Sequence, residues 1–461
     1  MQQGASSDVE QLLSEHEPET PKPDDATSRW HAQRSTWVIA LSSSAAYALS
    51  YFWRYPIFLL PQQDLSRRVA TLFGRDLDLH ACFSLAFILG FGAAKAPAMS
   101  FAASHFFFSH RLACILALLV ASMLIEGGGI VLFAAQPPLQ VVAVFLSSFL
   151  SSLLFGLIVT YLEGRQATER MLAVMSGMLI YAGNLSRGAA SAVLRCGVAP
   201  SRMPLVVGGA ACPAACLLLL VTHNSPRPSA ADRAARMRRT AMTAKARYAF
   251  LRSWALGIGA LTLAYALLTG LRSVRDLYSK QIFAASLSVD QAPDYIFLIA
   301  DLPGAILSVL ALLYLNTISS NRRALLTMLA MMLTSTLLGL GSTLLFQFGI
   351  LGGVAWQLSI GASIFVTYSV MGTPFFDRLL AASSTEGTCS FLIFLSDFCG
   401  YCASISLLLY RDFGPPPDDS PGSNHAGELR LFLNLFWVCG GSVVLLVIIA
   451  GTYFSRRLPC H

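Results

Sequence analysis

Charge is what this sequence has least of. Asp, Glu, Lys and Arg together make up 12% of the 461 residues, about half the share a soluble domain carries. That scarcity excludes a water-facing surface wrapped around several ordinary cores. The first 34 residues hold no apolar h-region, so no cleavable leader is expected. No His, Cys, Asp and Glu set has metal-ligand spacing, no glycine loop is placed to cradle a phosphate, and no nucleophile stands beside a base. No cofactor, metal or enzymatic activity is therefore expected. Cys212, Cys216, Cys399, Cys402 and Cys439 fall inside apolar blocks. The Cys399-x-x-Cys402 pair reads as two small residues on one face of a buried helix rather than a redox centre. The formal net charge of +7 resides mostly in short loops, which gives no surface for nucleic acid.

What is present is apolar sequence in long blocks. Covering about 30 Å of hydrocarbon takes roughly 20 apolar residues, and lipid forces them into helices. Twelve blocks are read: Ser35–Leu60, Leu79–Phe107, Leu112–Phe133, Val141–Leu162, Met171–Val193, Met203–Val221, Ser253–Val274, Tyr295–Thr317, Ala324–Phe348, Gly353–Val370, Phe391–Tyr410 and Leu431–Tyr453. The expected fold is an all-α integral membrane protein of 12 transmembrane helices in two pseudo-symmetric six-helix bundles, 35–222 and 253–455. A disordered tail (1–34), a basic linker (223–252) and a short C-terminal tail (456–461) complete the division. Asp8 to Leu13 matches an acidic di-leucine sorting pattern.

The linker carries Arg227, Arg233, Arg236, Arg238, Arg239, Lys245, Arg247 and Arg252 against the single acid Asp232. Basic loops stay cytoplasmic, and an even helix count then puts both termini inside. Plasma and endolysosomal or vacuolar membranes both remain open. The halves echo one another. Ala46-Tyr47-Ala48-Leu49 with Arg54 is matched, at one constant offset, by Ala264-Tyr265-Ala266-Leu267 with Arg272. Lys95 precedes Pro97 in the second block as Asp301 precedes Pro303 in the eighth.

An ionisable group at membrane depth costs at least about 2.5 kcal/mol and faces a partner or a cavity. Arg54, Lys95, Glu126, Arg187, Arg272, Asp301 and Asp397 all lie in apolar blocks. Tyr47 and Tyr51 share a helix face with Arg54, and Asn184 shares one with Arg187. The cations suit an anion with several oxygens, because guanidinium binds phosphate or carboxylate through two bonds at once. Arg54, Lys95, Arg187, Arg272, Tyr47, Tyr51 and Asn184 are the candidate substrate ligands; Glu126, Asp301 and Asp397 are candidates for ion coupling or pairing. Structural roles compete with these. Arg272, Arg275 and Lys280 are able to snorkel to the outer surface, Lys95 to pair with Asp301 across the halves, and Glu126 to pair with an arginine.

Twelve helices, a basic central linker and the repeat resemble the major facilitator superfamily. Tyr51-Phe52-Trp53-Arg54 and Gly92-Ala93-Ala94-Lys95 resemble motifs of its organophosphate:phosphate antiporters. That resemblance implies phosphate contacts for Arg54 and for Arg272 or Arg275. Tyr161 to Arg165, Pro374 to Arg378 and Ser396-Asp397 with Gly400-Tyr401 resemble an uncharacterised group related to the same superfamily, which implies fold and not substrate. The superfamily's acidic loop motif is missing between Ser100 and Arg111; Glu163 and Arg165 with Arg111 are the candidate inner gate. The reading is a monomeric secondary transporter of a small anionic solute in the lipid bilayer, with a non-transporting receptor or scaffold of the same fold as the alternative.

Overall fold

A computed structural model describes residues 26–72, 74–102, 104–162, 165, 167–226, 244–383, 390–413 and 426–458. Outside them lie the di-leucine pattern, Glu163, most of the basic linker and the last three residues.

The described chain is helical apart from one hairpin and the connecting loops. Its helices include α1 (Ala26–Leu49), α2 (Tyr51–Arg54), α3 (Leu79–Ala93), α4 (Lys95–Ala102), α5 (Arg111–Leu132), α6 (Pro137–Val159), α7 (Thr168–Arg195) and α8 (Met203–His223). Then come α9 (Ala255–Leu277), α10 (Ser279–Ser286), α11 (Asp294–Ile299), α12 (Leu302–Leu315), α13 (Asn321–Gln347), α14 (Gly353–Val370), α15 (Thr373–Ala382), α16 (Ser390–Phe413) and α17 (Ala426–Arg457). Eight helices among the described residues are long and apolar enough to cross a membrane. The chain is a multi-pass membrane protein. Helices also run past the apolar blocks: the first begins at Ala26 rather than Ser35, and the last reaches Arg457. Hydropathy marks the edge of the hydrocarbon, whereas backbone hydrogen bonding continues beyond it.

The hairpin departs from the all-α expectation. Strands β1 (Arg68–Leu72) and β2 (Arg75–Asp78) pair antiparallel in the loop before α3. Gly74 turns the chain at φ 75°, a conformation that other residues adopt with strain. Asp78 then caps α3, accepting from the Ala81 amide at 2.7 Å, so the hairpin delivers the chain to a charged helix start.

Prolines set the interruptions. Pro56 has no N–H to donate, and the first rod changes there to a 3-10 turn, Pro56–Leu59. Pro97 leaves the carbonyl four residues earlier, on Ala93, without its donor, and the rod breaks between α3 and α4. Pro303 does the same to Ile299, and Asp301 sits in the gap between α11 and α12. The motif pair Lys95/Pro97 and Asp301/Pro303 is thus a pair of helix breaks, each with a charge at its edge.

Three apolar cores organise the packing. One lies within the first half, around Tyr47, Trp53, Leu119, Leu154 and Leu219. One lies almost wholly within the second, around Leu261, Met328, Phe375 and Phe454. The third is shared: Phe58, Phe83 and Phe87 pack in one cluster with Leu271, Val274, Tyr278, Phe283, Phe297 and Trp356. It sits at the end of the molecule remote from the described termini. The halves also meet along two seams, α3 against α16 and α7 against α11 and α12. One end is therefore closed by a common core, while towards the termini each half keeps its own.

Inside the first half, α3 crosses α6 so closely that a Cβ at Gly90 would lie 2.5 Å from the Phe145 carbonyl oxygen and 2.9 Å from Ser148 Cβ. A Gly90→Val protein should lose about 1–3 kcal/mol by overpacking, read as a lower thermal midpoint in detergent. Gly156→Ala, in the interior of α6 at a site with nothing within 4 Å, should not lower the midpoint.

Candidate functional site

The ionisable groups gather where the two halves face each other. Arg54 ends α2, which places it between α1 and the 3-10 turn. It is 1% exposed. Its Nε donates to the Ser50 carbonyl at 3.1 Å and its Nη2 to Ser50 Oγ at 3.0 Å. The guanidinium lies 4.2 Å from the Tyr51 ring centre, 5.2 Å from Phe91 and 5.6 Å from Tyr47. Among the described residues it has no carboxylate in ion-pair range. Its charge rests on neutral donors and ring faces.

Tyr51 stacks on Tyr55 at 5.1 Å, and Tyr55 carries the next cation, Arg187, at 4.6 Å. Arg187 Nη1 donates to Asn184 Oδ1 at 2.6 Å, and its Nη2 to the Asp276 carbonyl of α9. Asn184 Nδ2 donates to Asp301 Oδ2 at 2.6 Å, and Arg275 Nη1 holds Asp301 Oδ1 at 2.6 Å. One network thus runs from α7 in the first half to α9 and the break before α12 in the second. Arg275 and Asp301 are 1% and 2% exposed. Arg275 therefore does not snorkel to the surface; the acid at the proline break draws it inward. Asp301 does not pair with Lys95, because both its oxygens are already taken.

Lys95 reaches a different acid. Its Nζ lies 3.5 Å from Asp397 Oδ2 on α16, with side-chain exposures of 28% and 22%. Asp397 Oδ1 accepts from Tyr265, whose hydroxyl is also 2.9 Å from that of Tyr368. Arg272 lies over the Tyr368 ring at 4.4 Å and is 4.0 Å from Asp276, at 29% exposure. A loose, partly exposed pair of this kind contributes a few tenths of a kcal/mol to about 1. A buried pair such as Arg275–Asp301 costs about 3–5 kcal/mol to break from one side. The first is suited to exchange its partner and the second to hold the halves in register. Lys95, Asp397 and Arg272 are partly exposed, which we read as a chamber between the halves, and Tyr51, Phe91 and Tyr401 are half-buried beside them. Arg54 and Arg272 both act electrostatically on Tyr51 and Tyr55. The candidates Tyr47, Tyr51, Arg54, Lys95, Asn184, Arg187, Arg272, Asp301 and Asp397 belong to this one region.

Three candidates lie apart from it. Glu126 is fully buried in a π-helical turn, Leu124–Gly128, within α5. Arg111 stacks on Tyr161 at 3.4 Å, and Arg165 donates to the Pro226 carbonyl. Tyr161 belongs to the first half and Pro226 to the linker, and Glu163 lies outside the described residues.

Two sets of residues escape a reading of the sequence. Tyr55, Tyr265, Tyr368 and Tyr401 supply most of the chamber's aromatic wall; Tyr265 stands out within the repeat, and the others carry no signal of period or charge. The second set seals the closed end. His80 stacks on Tyr278 at 4.4 Å. Its Nε2 meets the Leu277 carbonyl at 3.0 Å and its Nδ1 meets Gln281 Nε2 at 3.3 Å. A carbonyl accepts and an amide nitrogen donates, so the ring is the neutral Nε2–H tautomer. Lys280 donates across the halves to the Leu59 and Leu60 carbonyls, and Arg411 links Tyr278 to Asp412 and Glu428.

The sequence model of a family of unknown function, DUF5690, matches residues 70–457. No curated protein matches the chain. Its fold is similar to that of several solved transporters. One is the xylose transporter XylE from E. coli in a partially occluded inward-open conformation, at 14% identity and TM-score 0.59, over 92% of this chain and 98% of that one. Another is a mutant of the nucleoside transporter NupG, at 14% identity and TM-score 0.56, over 91% and 99%. A third is a bacterial homolog of the human lysosomal transporter Spinster, inward-facing and unoccupied, at 11% identity and TM-score 0.53, over 91% and 96%. At such identities the likeness concerns the fold alone.

Replacing Asp301 by Asn should strand Arg275 and lower stability by about 3–5 kcal/mol. The double variant Asp301→Asn/Arg275→Gln should recover a large part of that loss. Thermal midpoints of the four proteins of the cycle, measured in detergent, check both statements.

Proposed function

We propose that this chain, which belongs to the family of unknown function DUF5690, is a secondary transporter of a small anionic solute, worked by alternating access of twelve spans in two bundles. The observation that carries the reading is Arg54: a guanidinium 1% exposed, on aromatic faces, with no carboxylate partner among the described residues. Beside it stand Lys95 and Arg272, each partly exposed and loosely paired. Around the chamber five cations (Arg54, Lys95, Arg187, Arg272 and Arg275) face the three carboxyl groups of Asp276, Asp301 and Asp397. An excess of cations in a low-dielectric chamber is relieved by an anion. A phosphate ester fits the forked donors, and the likeness of the Arg54 and Lys95 motifs to those of organophosphate:phosphate antiporters supports the same class.

The core shared by both halves closes the end remote from the termini. With both termini cytoplasmic, as the basic linker argues, this conformation is inward-facing. The chamber would reach the other side by separating the His80, Tyr278 and Lys280 seal while closing the ends near the termini, a rocking of bundles about a midplane site. Arg111 and Arg165 contribute to the inner end of the first half.

A thermal-shift series on the purified full-length chain, with glycerol 3-phosphate, benzoate and glucose, tests the solute class. The phosphate ester should stabilise the wild type, and Arg54→Ala should weaken that ligand at least about tenfold, the loss expected for one charge-assisted contact. Equal stabilisation of both proteins by glucose would end the anion reading. Counterflow of the stabilising anion in proteoliposomes separates the two functions: binding without exchange points instead to a receptor or scaffold of this fold.

A further inference from the structure

Four acids lie at membrane depth as candidates for an exchangeable proton, and their surroundings differ in kind; Asp276 lies 4.0 Å from Arg272. Asp301 is saturated, with Arg275 on one oxygen and Asn184 on the other. Asp397 is occupied by Lys95 and Tyr265. Glu126 stands alone: it is 0% exposed, and among the described residues neither carboxyl oxygen has a hydrogen-bond partner. Ser147 is close by, yet its hydroxyl donates to the Ser122 carbonyl at 2.9 Å. A bare carboxylate in such a place would cost several kcal/mol.

The local fold makes room for the group. The π turn Leu124–Gly128 widens α5 at Glu126, and such single turns recur at functional sites. The elements packed on this turn are α2, α6 and α8. Helix α6 has no ionisable residue; α8 brings Cys212, Cys216 and, at its far end, His223, which is engaged with Tyr161. From α2 comes Arg54, the cation that acts on Glu126. A route joins the acid to the chamber. Ser147, Ser148, Ser151 and Ser152 are all buried along α6; the Ser148 and Ser151 hydroxyls are unpartnered among the described residues, and Ser152 donates to the Phe91 carbonyl at the chamber wall.

We infer that Glu126 is the proton site of this transporter, and that proton and anion are linked through competition for Arg54. The inference rests on the anion reading above. With Arg54 free, its charge favours ionised Glu126. When the anion takes Arg54, the carboxylate loses its counter-charge and takes a proton from the chamber along the α6 serines. One anion and one proton then travel together, and release of the anion lets the proton leave. Linkage makes the effect reciprocal: raising the pH must weaken the anion.

Calorimetry of glycerol 3-phosphate binding to the purified full-length chain, in buffers of different ionisation enthalpy, tests the linkage. The wild type should take up about one proton more per ligand than Glu126→Gln. Its affinity should fall by up to about tenfold per pH unit beyond the fall seen in Glu126→Gln; the ligand's own ionisation is common to both. Glu126→Asp should restore the pH dependence, which separates proton carriage from a folding role. Infrared spectroscopy needs no ligand. Arg54→Ala, which removes the counter-charge, should keep a protonated-carboxyl carbonyl band to higher pH than the wild type, and Glu126→Gln should lack that band. Identical proton uptake in wild type and Glu126→Gln, or no difference in that band, overturns the inference. Failure of glycerol 3-phosphate to bind would count against the anion reading and leave the infrared result to judge the proton site.

Discussion

A charge at the depth of the hydrocarbon costs a few kcal/mol unless another group meets it, and the rest of this structure depends on how that demand is answered. At the breaks made by Pro97 and Pro303 a charge stands at the edge and reaches across to the opposite half. Lys95 at the start of α4 meets Asp397 on α16. Asp301 before α12 meets Asn184 on α7. The two seams between the halves, α3 with α16 and α7 with α12, are thus each pinned by a polar contact whose position a proline sets. Apolar packing alone would not fix the register of two bundles in lipid, because lipid tails are as apolar as the side chains.

The two seams answer the demand unequally. Around Asp301 the groups are buried and saturated, and Arg275, Asn184 and Arg187 extend the network into the body of both halves. Around Asp397 the pair is longer, wetter and shared with tyrosines. The proposed rocking of the bundles needs one seam to hold register while contacts at the other are exchanged, and the two seams differ in burial in that sense. Arg54 is the exception to pairing. Its charge is spread over the faces of Tyr47, Tyr51 and Phe91, an arrangement that stabilises a cation without occupying its forked donors as a carboxylate would.

Much of this is legible in the order of the residues. Apolar block length announces a membrane bundle, because lipid leaves the backbone no alternative to helices. The rarity of charge makes Arg54, Arg187, Asp301 and Asp397 conspicuous, and the region where they meet is the one their isolation suggests. Pairing is less legible. Arg275 reads as well for a snorkelling residue as for a core one, since a helix end near the surface offers both fates and only the acid across the gap decides between them. The hairpin before α3 and the His80–Tyr278–Lys280 seal have no periodicity to betray them. Tyr368 and Tyr401 are ordinary apolar-block residues until folding turns their rings onto cations.

The sequence by itself determined that the chain crosses a bilayer, where its rods break, and which side chains are too costly to leave unmatched. Those are properties of composition and of single residues, settled by the solvent and by proline's missing donor. Tertiary structure decided which charge meets which: Lys95 with Asp397 rather than Asp301, Arg275 inward rather than outward, Arg54 on rings and Glu126 with no hydrogen-bond partner among the described residues. Such choices depend on distances between helices far apart in the chain, and Coulomb and hydrogen-bond energies at a few ångströms are fixed only once the halves have packed.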